Sequence, residues 1–246
     1  MEIINGKIAF VFPGGGSQYV GMGRDLYEAS PAAKRVYDTA DEVLGFALST
    51  LCFEGPEQTL ADAYNSQPAM LTTSVACLAA LDEKLAESGT VIKPDFVAGH
   101  SQGEYAALVA AGVLSLEDGL RLIRERGRLM KYAGEVNPGG MAAVMGLDDA
   151  AVEQVCREAS TKGTIVIANY NCPGQLVISG QEEALQEAMS LASSRGAKKV
   201  VRLAVTIASH SPLMRPVAPE FTQAVKAASF ADAKIPVVAN LTAKPI

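Results

Sequence analysis

The chain has 246 residues, 49% of them hydrophobic and 20% charged, with 21 Lys and Arg against 27 Asp and Glu for a formal net charge of −6. That is enough apolar material for a well-buried core in one large domain or two, and the acidic balance gives no reason to expect nucleic acid or an anionic membrane as partner. Residues 1–7 lack the cationic-then-apolar order of a secretion signal, and apolar stretches such as 106–114 are too short to span a bilayer, so a soluble, cytoplasmic protein is expected.

The four cysteines, Cys52, Cys77, Cys156 and Cys172, show no C-x-x-C spacing and sit in apolar patterns. They read as core thiols of a reducing compartment, and no metal site is visible.

In chain order, the apolar run 8–12 predicts a buried strand that breaks into a glycine loop, Pro13-Gly14-Gly15-Gly16-Ser17-Gln18. The spacing excludes a phosphate cradle, because no Gly-Lys-Ser/Thr follows and Tyr19 stands where G-x-G-x-x-G needs its third glycine. What remains is a loop with free amides at a strand's C-terminal end, a good position for an oxyanion donor. Short helices follow over 22–51 with a break near Gly45, and Pro68 opens a longer helix expected to reach Leu85.

Pro94 and Asp95 then open a strand over 96–99 that ends in Gly99-His100-Ser101-Gln102-Gly103, and helix is expected from Glu104 to Ala111, closed by Gly112. Strand, G-x-S-x-G and helix in this order form a nucleophile elbow, in which a tight turn stands the serine hydroxyl clear of the backbone near a helix N-terminus. Ser101 is thus the candidate nucleophile. Ser115-x-x-Asp118 starts a further helix to about Tyr132, on which Arg126 lies beside the apolar stripe while Arg121, Glu125 and Arg128 share an exposed face. An inward arginine needs an anion, either a ligand or a buried structural carboxylate.

Residues 134–203 change character and read β-α-β-β-α-β: strand 141–147, helix 148–160, strands 164–169 and 175–179, helix 181–195, strand 199–203. That is the split-βαβ order of a ferredoxin-like subdomain. The apolar run 205–208 returns the chain to the larger domain, so the expected domains are 1–133 with 206–246, and 134–205. The chain has two histidines. His100 adjoins the serine with its side chain across the turn, so His210, in Ser209-His210-Ser211-Pro212, is the available base.

With these residues in place, the chain resembles the malonyl-CoA:acyl carrier protein transacylase family and the related acyltransferase domains of polyketide synthases. The markers run the length of the chain: Phe12-Pro13-Gly14-x-Gly16-Ser17-Gln18, Gly99-His100-Ser101-x-Gly103-Glu104, Arg126-Gly127, Ala168-Asn169-Tyr170-Asn171-x-Pro173-Gly174-Gln175, and Ser209-His210. The resemblance implies an α/β-hydrolase-like catalytic domain with a parallel sheet and an inserted ferredoxin-like subdomain. It implies Ser101 as nucleophile, His210 as general base, Arg126 as ligand of the malonyl carboxylate, and the backbone amides of Gly15 and Gln102 as the oxyanion hole.

The implied substrates are malonyl-CoA and acyl carrier protein, with coenzyme A carried as a thioester, no bound cofactor or metal, and a monomeric enzyme of fatty acid biosynthesis. The alternatives are a polyketide acyltransferase using malonyl- or methylmalonyl-CoA, for which Gln102 and Ile207-Ala208-Ser209 leave room, a serine hydrolase, and a non-catalytic binding module. Arg195, Lys198, Lys199 and Arg202 form either a solvated strand end or a docking patch for the carrier protein. Two departures stand out. Gly15 replaces the family's usual glutamine, and the family continues past Asn240-Leu241-Thr242, including a glutamine that orients the catalytic histidine, so a truncated form, a cleaved form or an incomplete sequence is expected.

Overall fold

The computed structural model describes residues 6–246. It is mixed α/β, with a three-stranded parallel sheet and a four-stranded antiparallel one. The chain groups into two compact units. The first runs to Gly127 and resumes over Ala224–Ile246, and the second is Arg128–Gln223.

The first unit contains β1 (Ala9–Phe12), α1 (Arg24–Ala29), α2 (Pro31–Leu44), α3 (Leu48–Glu54), α4 (Glu57–Ala61), α5 (Ala63–Glu87), β2 (Phe96–Gly99), α6 (Gly103–Ala110) and the start of α7 (Leu116–Val136). Its parallel sheet has the order β1-β2-β7, β7 being Val237–Val238 near the chain's end. Local chemistry sets the helix ends. Ser30 Oγ accepts from the Ala33 amide with Pro31 at the first helical position, and Gly45 ends α2 at a φ of 71°. In α7, Ser115 Oγ accepts from the Asp118 amide at 3.0 Å.

Helix α5 begins five residues before Pro68, because the Asp62 side chain caps it by accepting from the Tyr64 amide at 2.9 Å. Helix α7 also outlasts its expected end at Tyr132. Strand β1 corrects the reading of a fully buried run. Phe10 and Phe12 face the core, whereas Val11 points to the opposite side of the pleat and is 75% exposed. Tyr37, Leu48, Leu60, Leu71, Val97, Leu120 and Ile123 are fully buried in this core. Each of the large aliphatic ones contributes about 1.5–3 kcal/mol by leaving water.

The second unit carries β3 (Gly140–Met145), α8 (Asp149–Ala159), β4 (Ile165–Cys172), β5 (Gln175–Gly180), α9 (Glu182–Ser194) and β6 (Lys199–Arg202). Its sheet has the order β4-β5-β3-β6, antiparallel at every pairing. Val144, Leu176 and Ile178 of the sheet and Val152, Val155, Leu185 and Ala188 of α8 and α9 make one core. A smaller cluster joins Leu129 and Ala133 of α7 to Met214, Val217 and Phe221. That cluster is why the unit extends beyond 134–205 in both directions. Residues 203–211 are irregular, so the apolar run 205–208 forms no strand: Ala208 is buried against Gly139 and Ile207 packs on Gly134, and these side chains serve local packing rather than a ladder. From α10 (Ala218–Ala227) the chain passes back into the first unit.

The cysteine reading is also corrected. Cys52 and Cys156 are buried, and burial pushes their thiols up to about 12 and about 11, but Cys77 and Cys172 are exposed.

Candidate active site

The parallel register Phe12↔Gly99 brings the ends of β1 and β2 side by side, so the glycine loop and the elbow leave the sheet together. The His100 amide donates to Phe12 O at 3.0 Å, which ties the two turns at their root. Ser101 then takes a φ of 53°, a left-handed conformation costing an L-residue about 1–2 kcal/mol. Among the described residues, three non-glycine positions have positive φ, and two of them are Ser101 and His210, with φ of 57°. Strained backbone of this kind persists where surrounding structure holds it and clusters at functional sites.

The elbow's glycines have a steric reason. A Cβ on Gly99 would lie 2.0 Å from the carbonyl carbon and oxygen of Gly103, and one on Gly103 would lie 2.5 Å from Phe12 O. The turn closes through Gly103 N donating to His100 O and Glu104 N to Ser101 O, so α6 starts beneath the serine. The positive end of its dipole then faces the place where an oxyanion would form.

Arg126 is half-buried, and its Nη2 donates to Ser101 Oγ at 3.2 Å while Nη1 donates to Gln67 Oε1 at 2.6 Å. Gly127 makes this possible: a Cβ there would meet Ala63 O at 2.4 Å, so glycine lets α7 lie close against the start of α5, which carries Gln67. Burial holds the guanidinium below the usual arginine range, partly offset by Tyr105 and Glu104. It stays a cation at neutral pH. Its hydrogen-bond partners are a neutral amide and a hydroxyl, so the buried structural carboxylate allowed by the sequence is not what holds it. The arginine's planar fork is suited to a bidentate carboxylate ligand.

Gly15 lies exposed in the loop turn after β1, and Gln102 is 4% exposed with its Nε2 enclosed and without a hydrogen-bond partner. The two are neighbours, since a Cβ on Gly15 would sit 3.9 Å from that Nε2. Of the five predicted site residues, Ser101, Arg126, Gly15 and Gln102 thus belong to the first unit, and His210 to the second. His210 is exposed in a two-residue turn that Ser211 brackets, its Oγ donating to Ala208 O at 2.7 Å and accepting from the Leu213 amide at 3.2 Å.

Two residues that sequence reasoning missed are Gln67 and Asn240. Asn240 Oδ1 accepts from the Ser101 amide at 3.0 Å, and its Nδ2 donates to Gly99 O at 2.7 Å. Neither carries a signal in the sequence: Gln67 is one of several polar residues along α5, and Asn240 sits in a polar turn that resembles any other. In the basic cluster all four residues are exposed; Arg195 pairs with Glu158 and Arg202 with Glu182, whereas Lys198 and Lys199 make no ion pair among the described residues. Among the described residues no group of three or more His, Cys, Asp or Glu side chains is placed to hold a metal, and no helix is long and apolar enough to cross a membrane.

Residues 9–245 match the acyl transferase domain family. The malonyl CoA-acyl carrier protein transacylase of Bacillus subtilis is 49% identical over 238 residues, covering 96% of this chain and 73% of that relative. The Staphylococcus aureus protein of the same name is 42% identical over 97% of this chain and 75% of its own. Among solved structures, the malonyl-CoA:acyl carrier protein transacylase of Xanthomonas oryzae matches with a TM-score of 0.90 at 43% identity, over 98% of this chain and 75% of that one. A malonyl-transacylase solved in complex with a type II PKS acyl-carrier protein matches with a TM-score of 0.91 at 37% identity, over 98% and 76%. A serine elbow with an arginine at its hydroxyl, on a fold shared with these proteins, leads to one conclusion: the chain belongs to the acyl transferase domain family, in the company of the malonyl CoA-acyl carrier protein transacylases.

Proposed function

We propose that this chain transfers a malonyl group from malonyl-CoA to the phosphopantetheine thiol of acyl carrier protein in fatty acid biosynthesis, through a malonyl ester on Ser101. The observation that carries the reading is the Arg126 guanidinium 3.2 Å from Ser101 Oγ, a cation placed for a substrate with a carboxylate beyond its reacting carbonyl. A simple ester hydrolase has no use for that group, which sets the hydrolase alternative aside.

Ser101 Oγ attacks the thioester carbon as His210 takes the hydroxyl proton. His100 is unsuited to this, because its imidazole lies against Gly14 in the glycine loop. The developing oxyanion is received by the amides of Gln102 and Gly15. The carbon–sulfur bond breaks, and the coenzyme A thiolate leaves with the proton from His210. The carrier protein's thiol then repeats the steps in reverse, giving malonyl carrier protein and free serine. Arg126 exchanges its contact with the serine hydroxyl for the malonyl carboxylate. The solved complex of a malonyl-transacylase with an acyl-carrier protein supports a carrier protein as the acceptor.

The same reading makes the first unit an α/β-hydrolase-like domain, and 134–205 an inserted ferredoxin-like subdomain, which the split-βαβ order β4-β5-β3-β6 supports. It also makes the enzyme a cytoplasmic monomer without a bound cofactor. The test is acyl selectivity. Arg126→Ala should lose malonyl transfer by about 10- to 100-fold more than acetyl transfer, since a charge-assisted contact contributes about 1.5–3 kcal/mol. Equal losses would leave Arg126 a structural role and remove the support for a malonyl substrate.

A further inference from the structure

We propose that Asn240 is a positioning residue for the nucleophile, acting on Ser101 from the end of β7. The placement follows from the sheet. Val237 pairs with Val97 and Val238 with Ala98 in parallel register, so the chain leaving β7 arrives level with the elbow leaving β2. The turn is then fixed by Ala239 N donating to Lys244 O at 3.1 Å and Ala243 N donating to Ala239 O at 2.8 Å. Glu104, on the first turn of α6, holds the Asn240 amide through its Oε1 at 3.0 Å.

With its backbone held there, the Asn240 carboxamide spans the elbow. It takes the Ser101 amide on its oxygen and gives its nitrogen to Gly99 O, gripping the chain on both sides of His100, up to the amide of the left-handed Ser101. Two consequences follow. The strained turn is held from outside its own chain segment, which fixes the direction of Cα–Cβ and so of Oγ. The Ser101 amide is also already engaged, so of the two amides at the serine it is that of Gln102 that serves the substrate oxygen. The role needs an acceptor and a donor on one planar group, which asparagine has and aspartate, as a carboxylate, lacks.

This inference rests on Ser101 being the nucleophile of the transacylase, and the experiment separates the two. Asn240→Ala and Asn240→Asp are compared with the parent for single-turnover malonylation of Ser101 by intact mass, for malonyl-CoA KM, and for inactivation by a serine-directed phosphonofluoridate. The acylation rate should fall by about 10- to 100-fold in Asn240→Ala, as for a reacting atom misplaced by about an ångström, with KM little changed. Asn240→Asp should fall at least as far. An unchanged rate, or a loss entirely in KM, would overturn the proposal.

If the parent takes up no malonyl group, the substrate reading fails while the phosphonofluoridate rates still decide the role of Asn240: slower inactivation in both variants supports it, and equal rates overturn it. Should neither variant fold, amide hydrogen exchange in the parent decides. The Ser101 amide should be protected, and exchange at the rate of an open chain would contradict the bond to Asn240.

Discussion

The two glycine-rich turns at the top of the parallel sheet look alike in sequence and differ in what their glycines do. In the elbow, Gly99 and Gly103 face each other's backbone, or that of Phe12, at distances no Cβ tolerates. In the loop after β1 only Gly14 is confined, with a Cβ there falling 2.7 Å from His100 O and 2.6 Å from its Nδ1. Gly15 has open space around it, Gln102 Nε2 being its nearest neighbour at 3.9 Å, and its φ is not left-handed. The elbow is therefore closed by steric necessity, whereas the middle of the loop offers its backbone amide whatever the side chain.

Substitution should separate the turns in graded order. Gly99→Ala and Gly103→Ala should have the largest effect, about 3 kcal/mol or more in denaturant unfolding, with malonylation abolished, because backbone rather than flexible side chain stands in the way. Gly14→Ala should lie in between, at about 1–3 kcal/mol, since the His100 ring can turn away but its carbonyl cannot. Ser101→Gly should move the opposite way and raise stability by about 1 kcal/mol, as glycine relieves the left-handed strain; a fall would show that the turn stores none. Gly15→Ala should be the mildest, retaining malonyl transfer and raising Tm by about 1–4 °C through a less flexible unfolded chain. A Gly15→Ala loss as large as that of Gly99→Ala would erase the contrast between the turns.

How much of this was legible in the sequence depended on whether the cause was local. The order of elements in the second unit, the cap at Ser115 and the helix stop at Gly45 follow from periodicity and near neighbours, and all stand within a few residues of their expected places. The exposed face of β1 was not legible, because an apolar strand reads the same whether one face is covered or two. Nor was the exposure of Cys77 and Cys172. The elbow could be read because strand, turn and helix are contiguous. Gln67 and Asn240 could not, because each meets the site from another part of the chain, 59 residues from Arg126 and 139 from Ser101. Arg126 was half legible: its inward position followed from the helical stripe, but only the fold shows that its partners are an amide and the serine itself.

The central claim is that the elbow presents Ser101 as the acyl-accepting nucleophile, and intact-mass measurement after incubation with malonyl-CoA tests it most directly. The parent protein should gain the mass of one malonyl group, mapped to Ser101 by peptide sequencing and discharged by carrier protein, and Ser101→Ala should gain none. The same adduct on Ser101→Ala, or an adduct mapped to another residue of the parent, would contradict the account.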